Sequence, residues 1–165
     1  MRVTGGRLGG RRLVAPPSGV RPTADRVREA LFARLSDLDG VCVLDLYAGT
    51  GALGIEALSR GAEHAVFVER SNASLSALRR NLRTLELDDL ARVVRGDVRG
   101  ALRRLAGEGM RFDLVLADPP YDDLALAAPP IEGLVSHGSR RYGDTELEWL
   151  EAGDPPPAGE GARDA

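Results

Sequence analysis

The sequence predicts an α/β fold, an open parallel sheet flanked by helices, and three observations predict it. Val43 to Gly54 reads as a buried strand, a glycine-rich turn and the start of a helix. Apolar runs of strand length then alternate with amphipathic stretches, from Ala65 to Glu69, Ala91 to Arg95 and Phe112 to Ala117. Finally, Asp45, Glu69, Asp97 and Asp118 each fall at the carboxyl end of an expected strand, where open α/β sheets have their ligand crevice.

In chain order, the first element is a basic arm over residues 1–22. Arg2, Arg7, Arg11 and Arg12 are interleaved with Gly5, Gly6, Gly9 and Gly10, the pattern of a flexible strand-loop-strand that lies along phosphates. Residues 23–35 read as a helix with Thr23 as N-cap and Val27, Ala30, Leu31, Arg34 and Leu35 on one face. Arg21 and Thr23, just ahead of it, are placed to contact substrate or close over a cofactor. Cys42 falls inside the first core strand as a small buried residue. The glycine turn opens a helix from Ala52 to Arg60. A later helix, Ser71 to about Leu85, buries Leu75, Leu78, Leu82 and Leu85 and turns Arg79, Arg80 and Arg83 outward, first as a solvated face and second as an RNA contact. Asp97 either caps the helix that begins near Val98 or accepts a bond from an adenine amino group, the cap being the simpler role.

The motif residues carry the chemistry. Gly49 and Gly51 let the backbone approach a ligand, and the helix behind them offers free N–H donors. Gly-x-Gly-x-x-Gly also fits a dinucleotide site, but Asp45, four residues before the first glycine, repels a pyrophosphate and suits a cationic or amino-bearing ligand such as S-adenosylmethionine. Glu69, at the end of the second strand, is placed for both ribose hydroxyls. After the fourth strand, Pro119 and Pro120 stiffen the exit of the chain and present backbone carbonyls. An amino group donating to the Asp118 carboxylate and to one of those carbonyls has its nitrogen lone pair turned outward, towards a methyl donor. Tyr121 is placed to stack on an unpaired base.

Composition narrows the classes. The 165 residues, 43% apolar, make one core and leave little room for a second domain. No apolar run is long enough to span a bilayer, and the arginine- and glycine-rich amino terminus lacks a signal peptide's apolar region, so the expected location is cytoplasmic. One cysteine and two histidines, His64 and His137, leave no material for a disulfide, a metal site or a histidine triad. The net charge of −3 hides an asymmetry. Residues 1–36 carry eight arginines against Asp25 and Glu29, and the remainder fourteen against twenty-three acids. A basic arm on an acidic body points to a polyanion met by one face.

Several segments together resemble the RsmD family of bacterial 16S ribosomal RNA guanine-N2 methyltransferases, which act on guanine 966. They are Gly5-Gly6, Arg21-Pro22-Thr23 with Asp25 to Phe32, the Asp45 to Gly54 turn with Glu56 to Gly61, and Asp118 to Tyr121. The resemblance runs from the amino terminus to about Tyr121, with an echo of the family's last strand at Arg141 to Thr145. It implies a class I S-adenosylmethionine-dependent methyltransferase fold, Rossmann-like, over residues 23–150. It further implies that Asp45, Tyr47, Ala48, Gly49, Gly51, Glu69, Arg70, Gly96 and Asp97 hold S-adenosylmethionine, and that Asp118, Pro119, Pro120 and Tyr121 hold the guanine. Arg2, Arg7, Arg11, Arg12, Arg21 and Thr23 then face the RNA. The partner implied is 16S ribosomal RNA in the small subunit or an assembly intermediate, met by a monomer without metal.

After Tyr121 the chain departs from the family, with some tens of residues missing. Ile131 to His137 can supply one short element and Thr145 to Leu150 an edge strand, which leaves the edge beside Asp118 open. Residues 151–165 read as a disordered acidic tail rich in proline and glycine. The residues also leave a DNA adenine-N6 methyltransferase, a nicotinamide-dependent enzyme and a non-catalytic RNA-binding relic as alternatives.

Overall fold

The structure, a computed structural model, describes residues 1–14, 25–35, 37–119, 134–142 and 145–152, with Ser139 and Arg141 the side chains described in the last two spans. The chain divides into two compact units, Met1–Tyr121 and Asp122–Ala165.

In the first unit, helix α1 (Asp25–Phe32) precedes a run of alternating strands and helices: β1 (Cys42–Leu46), α2 (Ala52–Ser59), β2 (His64–Glu69), α3 (Asn72–Thr84), β3 (Ala91–Arg95), α4 (Val98–Gly107) and β4 (Leu114–Ala117). The strands form one parallel sheet in the order β3-β2-β1-β4. The chain steps outward from β1 to β3 and then returns to the other side of β1. That reversal opens a crevice at the carboxyl ends of β1 and β4. Register aligns Leu46 with Val68 and with Ala117, so the strands end at one level.

Strand alternation sorts the core into two layers. Val43, Ala65, Phe67 and Leu116 face Ile55, Leu58, Leu78 and Leu82 of α2 and α3. Leu44, Leu46, Val66, Val68 and Val94 face Val98, Ala101 and Leu105 of α4. Asp45 shares the parity of Val43 and pairs in register with Phe67 and Leu116. It therefore points into the α2 layer, although it carries a carboxyl group.

Against the expectation of a flexible arm, residues 1–14 are built into the core. Val3 and Leu13 flank an antiparallel bridge between Arg2 and Arg12, with the Val3 amide donating to the Arg11 carbonyl at 2.9 Å. Val3, Leu8 and Leu13 are buried, while Arg2, Arg7, Arg11 and Arg12 are exposed. Thr4 donates through both its amide and its hydroxyl to the fully buried Glu56 carboxylate, each at 2.7 Å. The Leu8 amide donates to Ser59 Oγ at 2.9 Å, and that hydroxyl donates to the Gly5 carbonyl at 2.6 Å. Gly6, at φ +69°, lies so close to α2 that a Cβ would sit 1.9 Å from the Ser59 carbonyl oxygen. The glycines that suggest flexibility in the sequence include one that close packing requires.

Other expectations shift in detail. In α1 the buried positions are Val27, Arg28 and Phe32, whereas Arg34 is exposed and lies in the turn beyond the helix. The Arg28 guanidinium donates to Asp25 Oδ1 at 2.9 Å and to the Arg2 carbonyl, which is how a charge enters this layer. Cys42 opens β1 half-buried instead of sitting inside it. The fourth strand starts at Leu114, because the Asp113 amide and carboxylate bond the carbonyl and amide of Cys42, both at 2.9 Å, ahead of the ladder. Among the described residues β4 is the outer strand of this sheet, and Val115 on it is 55% exposed.

The second unit contains a two-stranded antiparallel hairpin, β5 (Leu134–Tyr142) and β6 (Thr145–Ala152). Tyr142 pairs with Thr145, and the register shifts between Ser136 and Ser139. Of the short element expected from Ile131 to His137, Leu134 to His137 begin a nine-residue strand, and residues 131–133 lie outside the described residues. Glu151 and Ala152, expected in the tail, continue β6; residues 153–165 lie outside the described residues.

Candidate active site at the carboxyl ends of the strands

Asp45, Glu69 and Asp118 converge on the crevice. Asp45 is 1% exposed, and its Oδ2 accepts from the Gly54 amide in the first turn of α2 at 2.9 Å. Burial raises its pKa to about 7; the Gly54 bond pulls the other way, and the nearby Asp118 and Glu69 charges add to the rise. Asp45 therefore lies under the glycine turn and not on its surface. The sequence reading set it against a cationic or amino-bearing ligand. Asp118 follows β4 and is exposed, and Pro119 beside it is half-buried.

Glu69 is tied back to the protein. Its Oε1 accepts from the amides of Arg70 at 2.8 Å and Ser71 at 2.7 Å, and its Oε2 from the Gly49 amide at 2.8 Å. A carboxylate has about four acceptor sites, so three are used and roughly one is left for a ligand hydroxyl. This carboxylate locks the end of β2 to the glycine turn. Ser71 is a residue that sequence reasoning missed here: its hydroxyl also caps α3, accepting from the Ser74 amide at 3.4 Å.

The turn itself holds three successive odd residues, Tyr47, Gly49 and Gly51, at φ 57°, 56° and 83°. Tyr47 is non-glycine in the left-handed region, a strain that occurs often at functional turns. The two glycines serve different ends. A Cβ on Gly49 would have only the Tyr47 carbonyl oxygen near it, at 3.9 Å, so that side of the turn is open to a ligand. A Cβ on Gly51 would meet Leu78 Cδ1 at 2.3 Å, so Gly51 answers to the packing beneath. Ala48 is buried, its amide donating to the Val68 carbonyl at 3.0 Å.

At the β3 side, a Cβ on Gly96 would meet nothing within 4 Å, and the Gly96 amide donates to the Glu69 carbonyl at 3.1 Å. Asp97 caps α4: its Oδ1 accepts from the Gly100 amide at 2.8 Å, which lowers its pKa. Arg70 is exposed. Asn81 was also missed by sequence reasoning. Buried on α3, it donates to the Thr50 carbonyl at 2.9 Å and accepts from the Val14 amide at 2.7 Å, joining the arm to the glycine turn. Pro120, Tyr121, Arg21 and Thr23 lie outside the described residues.

Three acids around one glycine turn make an acceptor-rich crevice. It favours hydroxyl, amino and cationic groups and repels phosphates, which argues against a dinucleotide. The unfilled space at Gly49 and Gly96 and the remaining Glu69 acceptor fit a nucleoside-bearing cofactor.

The fold and this crevice define a class I, Rossmann-like, S-adenosylmethionine-dependent methyltransferase fold. The chain belongs to the RsmD family, whose model, described as Conserved hypothetical protein 95, matches residues 1–145. It is 44% identical over 130 residues to YlbH of Bacillus subtilis, provisionally named an rRNA methyltransferase, covering 78% of this chain and 71% of that protein. It is 45% identical over 124 residues to ribosomal RNA small subunit methyltransferase D of Escherichia coli K12, covering 73% of this chain but 60% of that protein. Among solved structures, the yhhF protein of Escherichia coli, provisionally named a methyltransferase, superposes with a TM-score of 0.77 at 32% identity, over 93% of this chain and 98% of that one.

Proposed function

We propose that this chain methylates small-subunit ribosomal RNA with S-adenosylmethionine, and that its target is a guanine N2 amino group, guanine 966 by family resemblance. The observation that carries the reading is the convergence of Asp45, Glu69 and Asp118 at the β1–β4 crevice, beside a glycine turn with open space over Gly49. The names of the relatives, an rRNA methyltransferase and a small-subunit methyltransferase, support the substrate class.

In this reading Glu69 binds ribose hydroxyl, with Gly49, Gly96 and Asp97 around the nucleoside and Arg70 at its rim. Asp45 acts through its field from beneath the turn, together with Tyr47, Ala48 and Gly51, which shape it. When bound, S-adenosylmethionine supplies an electrophilic methyl on a sulfonium leaving group. The chain's work is positioning. Asp118 accepts one amino hydrogen and a Pro119 or Pro120 carbonyl the other, and Tyr121 stacks on the unstacked base. As the nitrogen–carbon bond forms, the proton lost from nitrogen passes to Asp118 or to water. Residues 1–22 form the RNA-facing arm, with Arg2, Arg7, Arg11, Arg12 and Arg21, and residues 23–150 the methyltransferase domain, whose Thr23 also faces the RNA. The protein works as a cytoplasmic monomer without metal.

Mass spectrometry of 16S RNA from a deletion strain tests this. Restoring the gene returns the N2-methylguanine, and Asp118→Ala leaves it at least a hundredfold reduced, as loss of a single preorganised polar group at a reacting centre commonly does. Unchanged guanine methylation on restoring the intact gene overturns the proposal. The outer position of β4 among the described residues favours one second reading, an RNA-binding member without turnover. Under it, the protein binds S-adenosylhomocysteine and small-subunit RNA yet transfers no methyl group.

A further inference from the structure

A second basic surface lies away from the crevice. Asn72, Ser76, Arg79, Arg80 and Arg83 form one stripe on α3, at spacings of three and four residues. With Arg95 from the end of β3 they line a groove of about 530 Å³. The four arginines are exposed, and among the described residues no carboxylate pairs with any of them. Some arginines elsewhere do find acids: Arg60 bonds Glu56, and Arg92 and Arg104 share Glu108. Helix-dipole stabilisation accounts for Arg83 in the last turn of α3, but not for Arg79 and Arg80 at mid-helix, nor for Arg95 on another element. Four unneutralised guanidinium groups around one groove, in a protein of net charge −3, need an anion to be explained.

The arm meets this surface. Arg11 Nη2 donates to the carbonyl of Thr84, the last residue of α3, at 3.2 Å, and Val14 is held by Asn81 one turn earlier. The exposed arginines of the arm and those of α3 are thereby joined at one helix end. At the other end, Arg95 pairs in register with Glu69 at the crevice. From β3 to β4 is three strand spacings, about 14 Å, the reach of a few nucleotides.

We infer that the α3–β3 groove, continuous with Arg11 of the arm, is a phosphate-binding track that grips the RNA backbone a few nucleotides from the target base. This rests on the RNA reading above and adds the surface that holds the substrate. Phosphate contacts of this kind set affinity and register without reading sequence.

The test is titration of a 16S ribosomal RNA transcript with the full chain at several salt concentrations. The triple variant Arg79→Ala, Arg80→Ala, Arg83→Ala is compared with wild type. Removing three contacts lowers the slope of log affinity against log salt by about 2, and weakens binding about a hundredfold at 0.1 M salt. The corresponding triple lysine variant keeps the slope, because a phosphate contact needs the charge. S-adenosylhomocysteine binding, unchanged in both, reports an intact fold. An alanine variant with wild-type slope and affinity overturns the inference, as does a lysine variant that loses as much as alanine. So does an alanine variant that loses binding only to phosphatidylserine vesicles and not to RNA. If the wild type binds RNA with the expected slope difference but transfers no methyl group, the track stands and the proposed activity falls. If it methylates and the slopes coincide, the track alone falls.

Discussion

Glu69 and Asp118 are both acids just at the end of a strand, and both flank the level of Tyr47, yet the protein treats them in opposite ways. Glu69 is buried and accepts three backbone amides, from Gly49, Arg70 and Ser71. Asp118 is exposed just past β4, the outermost strand of its sheet among the described residues, whose Val115 is 55% open to solvent. The difference separates a half of the crevice that is built before any ligand arrives from a half that meets solvent. Binding to the first costs little reorganisation, whereas the second is free to adapt to a large substrate.

The largest effect that sharpens this contrast is at Phe67, which is fully buried with its ring edge under the glycine turn, 2.3 Å from where a Gly54 Cβ would stand. Phe67→Ala costs about 3–5 kcal/mol in urea denaturation and weakens S-adenosylhomocysteine binding with it. A loss below about 1 kcal/mol would mean that the turn does not depend on its floor.

Next in size is a pH effect from Asp45. Its pKa of about 7 in the folded chain exceeds the ordinary 3.8, so the folded state holds a proton that the unfolded state has released. Stability is therefore unaffected below about pH 4, falls as pH rises, and carries the full penalty above about 7. The swing is about 4 kcal/mol. Denaturation at pH 4 and pH 8 should show it, and Asp45→Asn should flatten the slope. A stability that rises over this interval in the wild type and is unchanged by Asp45→Asn contradicts the assignment.

Smaller still is Glu69→Gln. One amide oxygen cannot serve three donors on two sides, so at least one backbone N–H loses its partner, at about 1–3 kcal/mol. Calorimetry with S-adenosylhomocysteine should show at least a tenfold weaker affinity, and wild-type affinity would unseat Glu69 from the preformed half. The smallest effect is at the open edge, where Val115→Ser should change stability by no more than about 0.5 kcal/mol. A cost above about 2 kcal/mol would mean that the face is covered.

The parallel sheet was legible because its signals are local. Apolar runs of strand length, a glycine turn and the leucine stripe at Leu75, Leu78, Leu82 and Leu85 need only neighbours a few residues apart to be read. The strand-end acids were legible as a set for the same reason, and the structure places Asp45, Glu69 and Asp118 within electrostatic reach. What each acid does locally was not. Asp45 looked like a surface ligand by spacing and is buried against α2, since its parity with Val43 matters more than its charge.

The arm shows the limit most plainly. Its arginines and glycines read as a flexible strand-loop-strand, and their alternation with Val3, Leu8 and Leu13 carries no period that marks them as core. The bonds that decide otherwise, from Thr4 to Glu56, Leu8 to Ser59 and Val14 to Asn81, join residues 51 to 67 positions apart. By itself the sequence determined the order of elements, the glycine turn and the acids at the strand ends, because periodicity and turn chemistry are properties of short stretches. Only the tertiary structure decided which polar groups are buried, which glycines face a ligand and which a side chain, and that the arm and α3 share one basic surface. Those outcomes depend on where distant parts of the chain meet, and burial of a polar group is tolerated only where such a meeting supplies its partner.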